Sequence, residues 1–254
     1  MNENITALRS SSDRLRHLVD SLDDSELVVR AYPEKWTIAD VLSHIGSGAV
    51  IMHRRLEDAL ADQPTPNDFT QGVWDEWNAK GPKSKAEDAL TADASFVDRL
   101  ESLSAEDQAK FKTSMGPMTL DFDANVGMRL NEHALHTWDV EVVKDPSAAL
   151  PPDVAALVVD RLNLIARYTG KPTGSERTVI VHTTNPQRMF SITLSADTIV
   201  FAPGPKGSDA QPDLELPAEA FVRLIYGRLD AAHTPPFTGD AGLLDELRKA
   251  FPGP

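Results

Sequence analysis

Glu132, His133 and His136 stand within "NEHALHTWDV" (131–140), in a chain that has seven histidines. On a helix, successive residues are separated by about 100°. Glu132 and His136 therefore share a face and can offer a carboxylate oxygen and an imidazole nitrogen to one cation. Arg129 and Asp139 extend that face by a turn in either direction, while His133 points elsewhere. Two ligands from one helix do not complete a site. The candidate third is His44, where a bare imidazole among Val41, Leu42 and Ile45 needs a polar partner. The residues alone leave three readings open: a solvated Glu–His face, a hydrogen-bonded core cluster, or a metal centre of the kind that helix bundles build between facing helices.

Other chemistries find little support. The chain has no cysteine, which removes disulfides, thiolate ligands and a cysteine nucleophile, so any metal must be held by nitrogen and oxygen. No G-x-S-x-G elbow, phosphate-binding glycine loop or dinucleotide fingerprint is present. His17, His53 and His233 read as surface residues, and His182 as core or pocket lining. The tryptophans at 36, 74, 77 and 138 read as packing, with Trp77 kept as a pocket-wall candidate. A formal net charge of -14 without a Lys/Arg cluster excludes a nucleic-acid backbone as partner. No run approaches the length of a membrane span, and the first residues lack the order of a signal peptide; cytoplasmic residence is expected.

The elements that must position these residues follow from hydrophobic spacing. Residues 2–22 predict a helix, as do residues 36–62, where Thr37 and Asp40 resemble a capping box. Residues 62–83 predict a long connection with a short helical piece around Trp74 and Trp77. Residues 84–105 and about 120–143 complete a four-helix bundle with one long crossover. "KDPSAALPPD" (144–153) marks a boundary. Residues 152–168 predict a fifth helix. Strands follow at 177–184, 189–195 and 198–203, with "SAD" (195–197) as a hairpin turn, then a loop at 204–213. Helices at 217–229 and 240–251 close the chain. The expected fold class is α followed by α+β: a helical bundle at 1–147 and, at 148–254, a small antiparallel sheet covered by helices. Phe190, Phe201 and Phe221 could line an apolar pocket or form ordinary core.

"WTIADVLSHIGSGA", followed about ninety residues later by "RLNEHALHTWDVEV", resembles the mycothiol-dependent maleylpyruvate isomerase family within the wider DinB-like superfamily. "LIYGRLD" and "TGDAGLLDELRKAF" are similar to that family's C-terminal domain, which has a sterol-carrier-like α+β fold, so the resemblance spans nearly the whole chain. It implies that His44, Glu132 and His136 hold a divalent ion, zinc first, with His133 a neighbour and not a ligand. It implies that Arg228, of "YGR", is linked to activity by pairing with a substrate carboxylate; Arg223 ranks below it. Arg129 and Asp139 could orient ligands from behind. The implied cofactors are the metal and mycothiol, whose thiolate would add to a cis double bond, let it rotate, and leave. The implied partners are a low-molecular-weight thiol and a small-molecule substrate, with no nucleic acid and no membrane, in a monomer or homodimer. Transfer of the same thiol onto electrophiles, or a non-catalytic metal-stabilised protein that holds a small ligand, are the alternatives.

Overall fold

Helix formation in the first half follows the apolar stripes. In the computed structural model, which describes residues 2–115, 118–204 and 211–253, α1 spans Glu3–Asp20, α2 Ile38–Leu60, α3 Phe69–Ala79 and α4 Pro82–Ser102. A short α5 (Ala105–Lys110) leads into an antiparallel hairpin of β1 (Lys112–Met115) and β2 (Met118–Asp121), and α6 covers Phe122–Lys144. These elements form one unit, Met1–Asp145; Pro146–Pro254 form another. The expected capping box is present: the Thr37 side chain accepts from the Asp40 N–H while Asp40 accepts from the Thr37 N–H, satisfying two orphan donors at the helix start. Pro82 opens α4, where its missing N–H costs nothing.

The core of this unit is built on α2. Ile38, Val41, Leu42 and Ile45 are buried with Leu15, Val19, Trp77, Ala89 and Val140. Helix α6 is unusual because it buries residues all around its circumference, including Asn125, Arg129, Asn131, His133, Thr137 and Asp139 beside Leu130, Leu135 and Trp138. A helix buried over most of its surface must find protein partners for the polar groups it carries inward. That requirement creates the clusters described below. Sequence spacing did not anticipate α5 or the β1–β2 hairpin.

The second unit has α7 (Pro152–Val158) and α8 (Leu162–Thr169), separated by a 3-10 turn at Val159–Arg161. The single helix expected at 152–168 is thus two, and the tighter turn keeps Val158, Val159 and Leu162 all buried. Then come β3 (Arg177–Thr184), β4 (Arg188–Leu194), β5 (Ile199–Pro203), β6 (Leu214–Pro217), α9 (Ala218–Ile225), β7 (Thr238–Gly239) and α10 (Ala241–Ala250). The sheet order is β5-β4-β3-β6-β7. Its pairs are antiparallel except β3 with β6. The loop expected at 204–213 lies mostly outside the described residues. Helix α9 stops short of residue 229 because Gly227 takes φ +69, and a β-carbon there would stand 2.3 Å from the Gly253 nitrogen. Phe190, Phe201 and Phe221 pack ring on ring at centroid separations of 5.0–6.0 Å; Phe190 and Phe221 are buried core and Phe201 is half-buried beside them. Among the described residues, no helix is long and apolar enough to cross a membrane.

Candidate metal centre

His44 lies on the border of the α2 stripe, its side chain 42% exposed, and faces α6. Its Nε2 is 3.5 Å from Glu132 Oε2, and His136 Nε2 is 3.6 Å from the same oxygen. One ligand atom from each of the three residues fits within a span of 4.8 Å. The two imidazoles meet edge to face at 4.6 Å between ring centroids. Contacts of 3.5 and 3.6 Å are too long for good hydrogen bonds. They match the separation of about 3.3–3.4 Å between ligands that tetrahedral bonds of about 2.0–2.1 Å require.

The donor set fits a divalent ion in a second respect. His136 Nδ1 is 2.8 Å from Asp139 Oδ2, and Asp139 is fully buried. A carboxylate on one ring nitrogen fixes the tautomer and leaves Nε2 as the lone-pair donor, the usual arrangement behind a metal-binding imidazole. Burial by itself would push the Glu132 carboxyl up, but His136 and His44 hold it well below the usual carboxylate range. The site thus presents an anionic oxygen between two imidazoles. Trp36, read from sequence as packing, lies against both: its ring centroid is 5.2 Å from that of His44 and 5.7 Å from that of His136.

The other candidates separate. His133 is completely buried, with Nε2 at 3.1 Å from Asp93 Oδ2 and Nδ1 at 2.8 Å from Ser11 Oγ. Arg129 joins the same cluster and not the cradle: its Nη2 donates to Asp93 Oδ1 at 2.7 Å and to the Ile45 carbonyl at 3.0 Å. Trp77 is 3% exposed and packs into the gap at Gly46, where a β-carbon would stand 2.2 Å from its Cη2; it is core. Arg228 belongs to the second unit, is buried, and donates from Nη1 to the Tyr226 carbonyl at 2.9 Å. Arg223 is engaged by both oxygens of Glu219 at 2.8 and 2.9 Å. Asp93 and Ser11 escaped sequence reading. Their only signal was that His133, buried on a helix that turns few residues to solvent, would need an acid or hydroxyl from a neighbouring helix.

The helical bundle thus brings two histidines and one glutamate from two facing helices to where they could share one ion. Residues 8–141 match the family model described as the mycothiol maleylpyruvate isomerase N-terminal domain, and the chain belongs to that family. Crystal structures of the mycothiol-dependent maleylpyruvate isomerase and of a point mutant of it are each similar to most of the chain. In both, TM-score is 0.66 and identity 14%, covering 94% of this chain and 93% of that one; at that identity the likeness is one of fold. YfiT from Bacillus subtilis, described as a probable metal-dependent hydrolase with an unusual four-helix bundle topology, aligns at TM-score 0.41 and 13% identity, over 56% of this chain and 85% of its own. No curated protein matches significantly.

Proposed function

We propose that this protein is a cytoplasmic, divalent-metal-dependent enzyme that uses mycothiol, with cis–trans isomerisation of a maleylpyruvate-like acid as its reaction. In this reading residues 1–147 are the metal-binding bundle and residues 148–254 a sterol-carrier-like domain. The observation that carries it is the convergence of His44, Glu132 and His136 within 4.8 Å in a chain of this family. His44 and His136 supply imidazole nitrogens, Glu132 supplies the anionic oxygen, and Asp139 orients His136. A bound ion, zinc first, would supply an open position that lowers the pKa of the thiol and yields thiolate at neutral pH. Trp36 walls the two imidazoles on one side and keeps their rings in place. Mycothiol held there would supply a thiolate able to add to the cis double bond, its π pair passing to the conjugated carbonyl; rotation about the resulting single bond and return of that pair with loss of the thiolate would give the trans isomer. Arg228 is assigned to a substrate carboxylate. Arg223 is the poorer candidate because Glu219 already takes its charge bidentately.

The test is metal analysis of the purified protein together with turnover of cis-enoyl acids and of electrophiles, with and without added thiol. One equivalent of metal and thiol-dependent isomerisation are expected. Thiol consumption with electrophiles alone would reassign the protein as a thiol transferase. Absence of metal, or turnover indifferent to thiol, sinks the reading. His44→Ala separates an enzyme from a non-catalytic binding protein: turnover collapses while the fold persists.

A further inference from the structure

Arg129 stands on α6, three residues before Glu132, and its guanidinium is 3% exposed. The same Nη2 atom donates to Asp93 Oδ1 on α4 and to the backbone carbonyl of Ile45 on α2. Ile45 is the residue after His44. The second oxygen of Asp93 meets His133, which in turn meets Ser11 on α1. One buried seam thus joins four helices, and its link to α2 falls next to a proposed ligand. Gly48 makes room for this link, because a β-carbon there would stand 3.0 Å from Arg129 Nη1.

Stability alone is a poor reason for such a seam. Buried ion pairs are often no better for stability than well-packed apolar residues of the same volume. Here the satisfaction is also incomplete, since Arg129 Nε is buried without a partner. We infer that Arg129, anchored by Asp93 and admitted by Gly48, is a positioning residue that sets the separation of α2 from α6, and with it the distance from His44 to Glu132 and His136. The inference rests on the reading that those three residues hold a divalent ion.

The test uses the full chain, stripped of metal and reloaded with zinc or cobalt(II). Affinity is read by competition with a chelator, geometry by the cobalt absorption bands, and folding by melting of the metal-free protein. Gly48→Ala is the decisive variant. Alanine favours a helix interior over glycine while its β-carbon crowds Arg129, so a purely structural seam predicts a shift in melting of either sign with unchanged affinity. A positioning role predicts a folded metal-free protein whose metal affinity falls by about tenfold or more, the scale seen for groups that orient ligands, with displaced cobalt bands. Arg129→Lys keeps a charge beside Asp93 but loses the fork that bridges to Ile45, and it should weaken binding in the same direction. If it fails to fold, Gly48→Ala still decides. Affinity within about twofold of the parent and unchanged cobalt bands in Gly48→Ala overturn the inference while leaving the metal reading intact. A parent protein that binds neither ion overturns both.

Discussion

Helix α6 carries two acid–imidazole clusters less than two turns apart, and they have opposite characters. In one, Asp93, His133, Arg129 and Ser11 are all buried and meet at 2.7–3.1 Å. In the other, His44 and Glu132 have side chains 42% and 48% exposed, and one carboxylate oxygen stands 3.5 and 3.6 Å from two imidazole nitrogens. The first cluster is closed: its charges are matched by protein groups, and Arg129 Nε is the one atom of it buried without a partner among the described residues. In the second, the spacing suits an object between the side chains better than direct contact. Similar residue types therefore yield a lock or a cradle, according to whether a fourth helix supplies the counter-group. Asp93 of α4 supplies it to His133; the cradle faces solvent.

The sharpest way to break this contrast is to remove each cluster's central partner. Asp93→Ala leaves the Arg129 guanidinium buried without its counter-charge, and should cost about 3–5 kcal/mol of stability, read as a fall in the denaturant midpoint. A cost below about 1 kcal/mol would show that solvent reaches the seam. His44→Ala should do the reverse. The metal-free protein should lose under about 1 kcal/mol, because the side chain is half exposed. Metal affinity should drop by more than about a hundredfold, beyond the range seen for groups that merely orient a ligand. Equal stability losses in the two variants would erase the distinction between them.

How much of this was readable beforehand differs by residue. The Thr37–Asp40 cap and the Glu132–His136 pair follow from local spacing, which tertiary packing does not disturb. That His44 faces them is a statement about two helices ninety residues apart: a bare imidazole on an apolar stripe made it the candidate, and the resemblance to a known family turned the candidate into an implied ligand. Asp93 was invisible because "LTADASF" reads as an ordinary solvated helix face. Its burial depends on α4 lying against α1 and α2 while the Asp93 side chain reaches α6. Trp77 misled for a related reason: Gly46 opens a slot in α2 that draws the indole inward, while Trp36 takes the place beside the imidazoles. The four-residue strands of β1 and β2 are too short to give a periodic signal.

Asp139 couples the two characters, since it is fully buried like the seam yet serves the cradle through His136. Asp139→Asn keeps the shape but weakens the carboxylate's hold on the imidazole. A loss of about 10–100-fold in metal affinity is expected from chelator competition. An unchanged affinity would mean that His136 needs no orienting partner.

The smallest expected effect is on the acid limb of stability, and it separates the clusters by their solvent access. Desolvation would raise the Asp93 carboxyl, but His133 and Arg129, with Ser12, hold it well below the usual carboxylate range. A carboxylate depressed in the folded state is bound by more protons when unfolded. Its contribution is therefore complete above the unfolded value, about 3.9 for Asp, and is lost as pH falls below it. The stability gap between the parent and Asp93→Asn should narrow between about pH 5 and pH 2. Glu132 is depressed in the same direction by His136 and His44 against its burial, so in metal-free protein the gap to Glu132→Gln should narrow with the same sign. It should narrow less, because solvent screens a side chain 48% exposed. Added salt should shrink the Glu132 effect and leave that of Asp93 nearly unchanged. The opposite salt response would mean that the cradle is the closed site and the seam the open one.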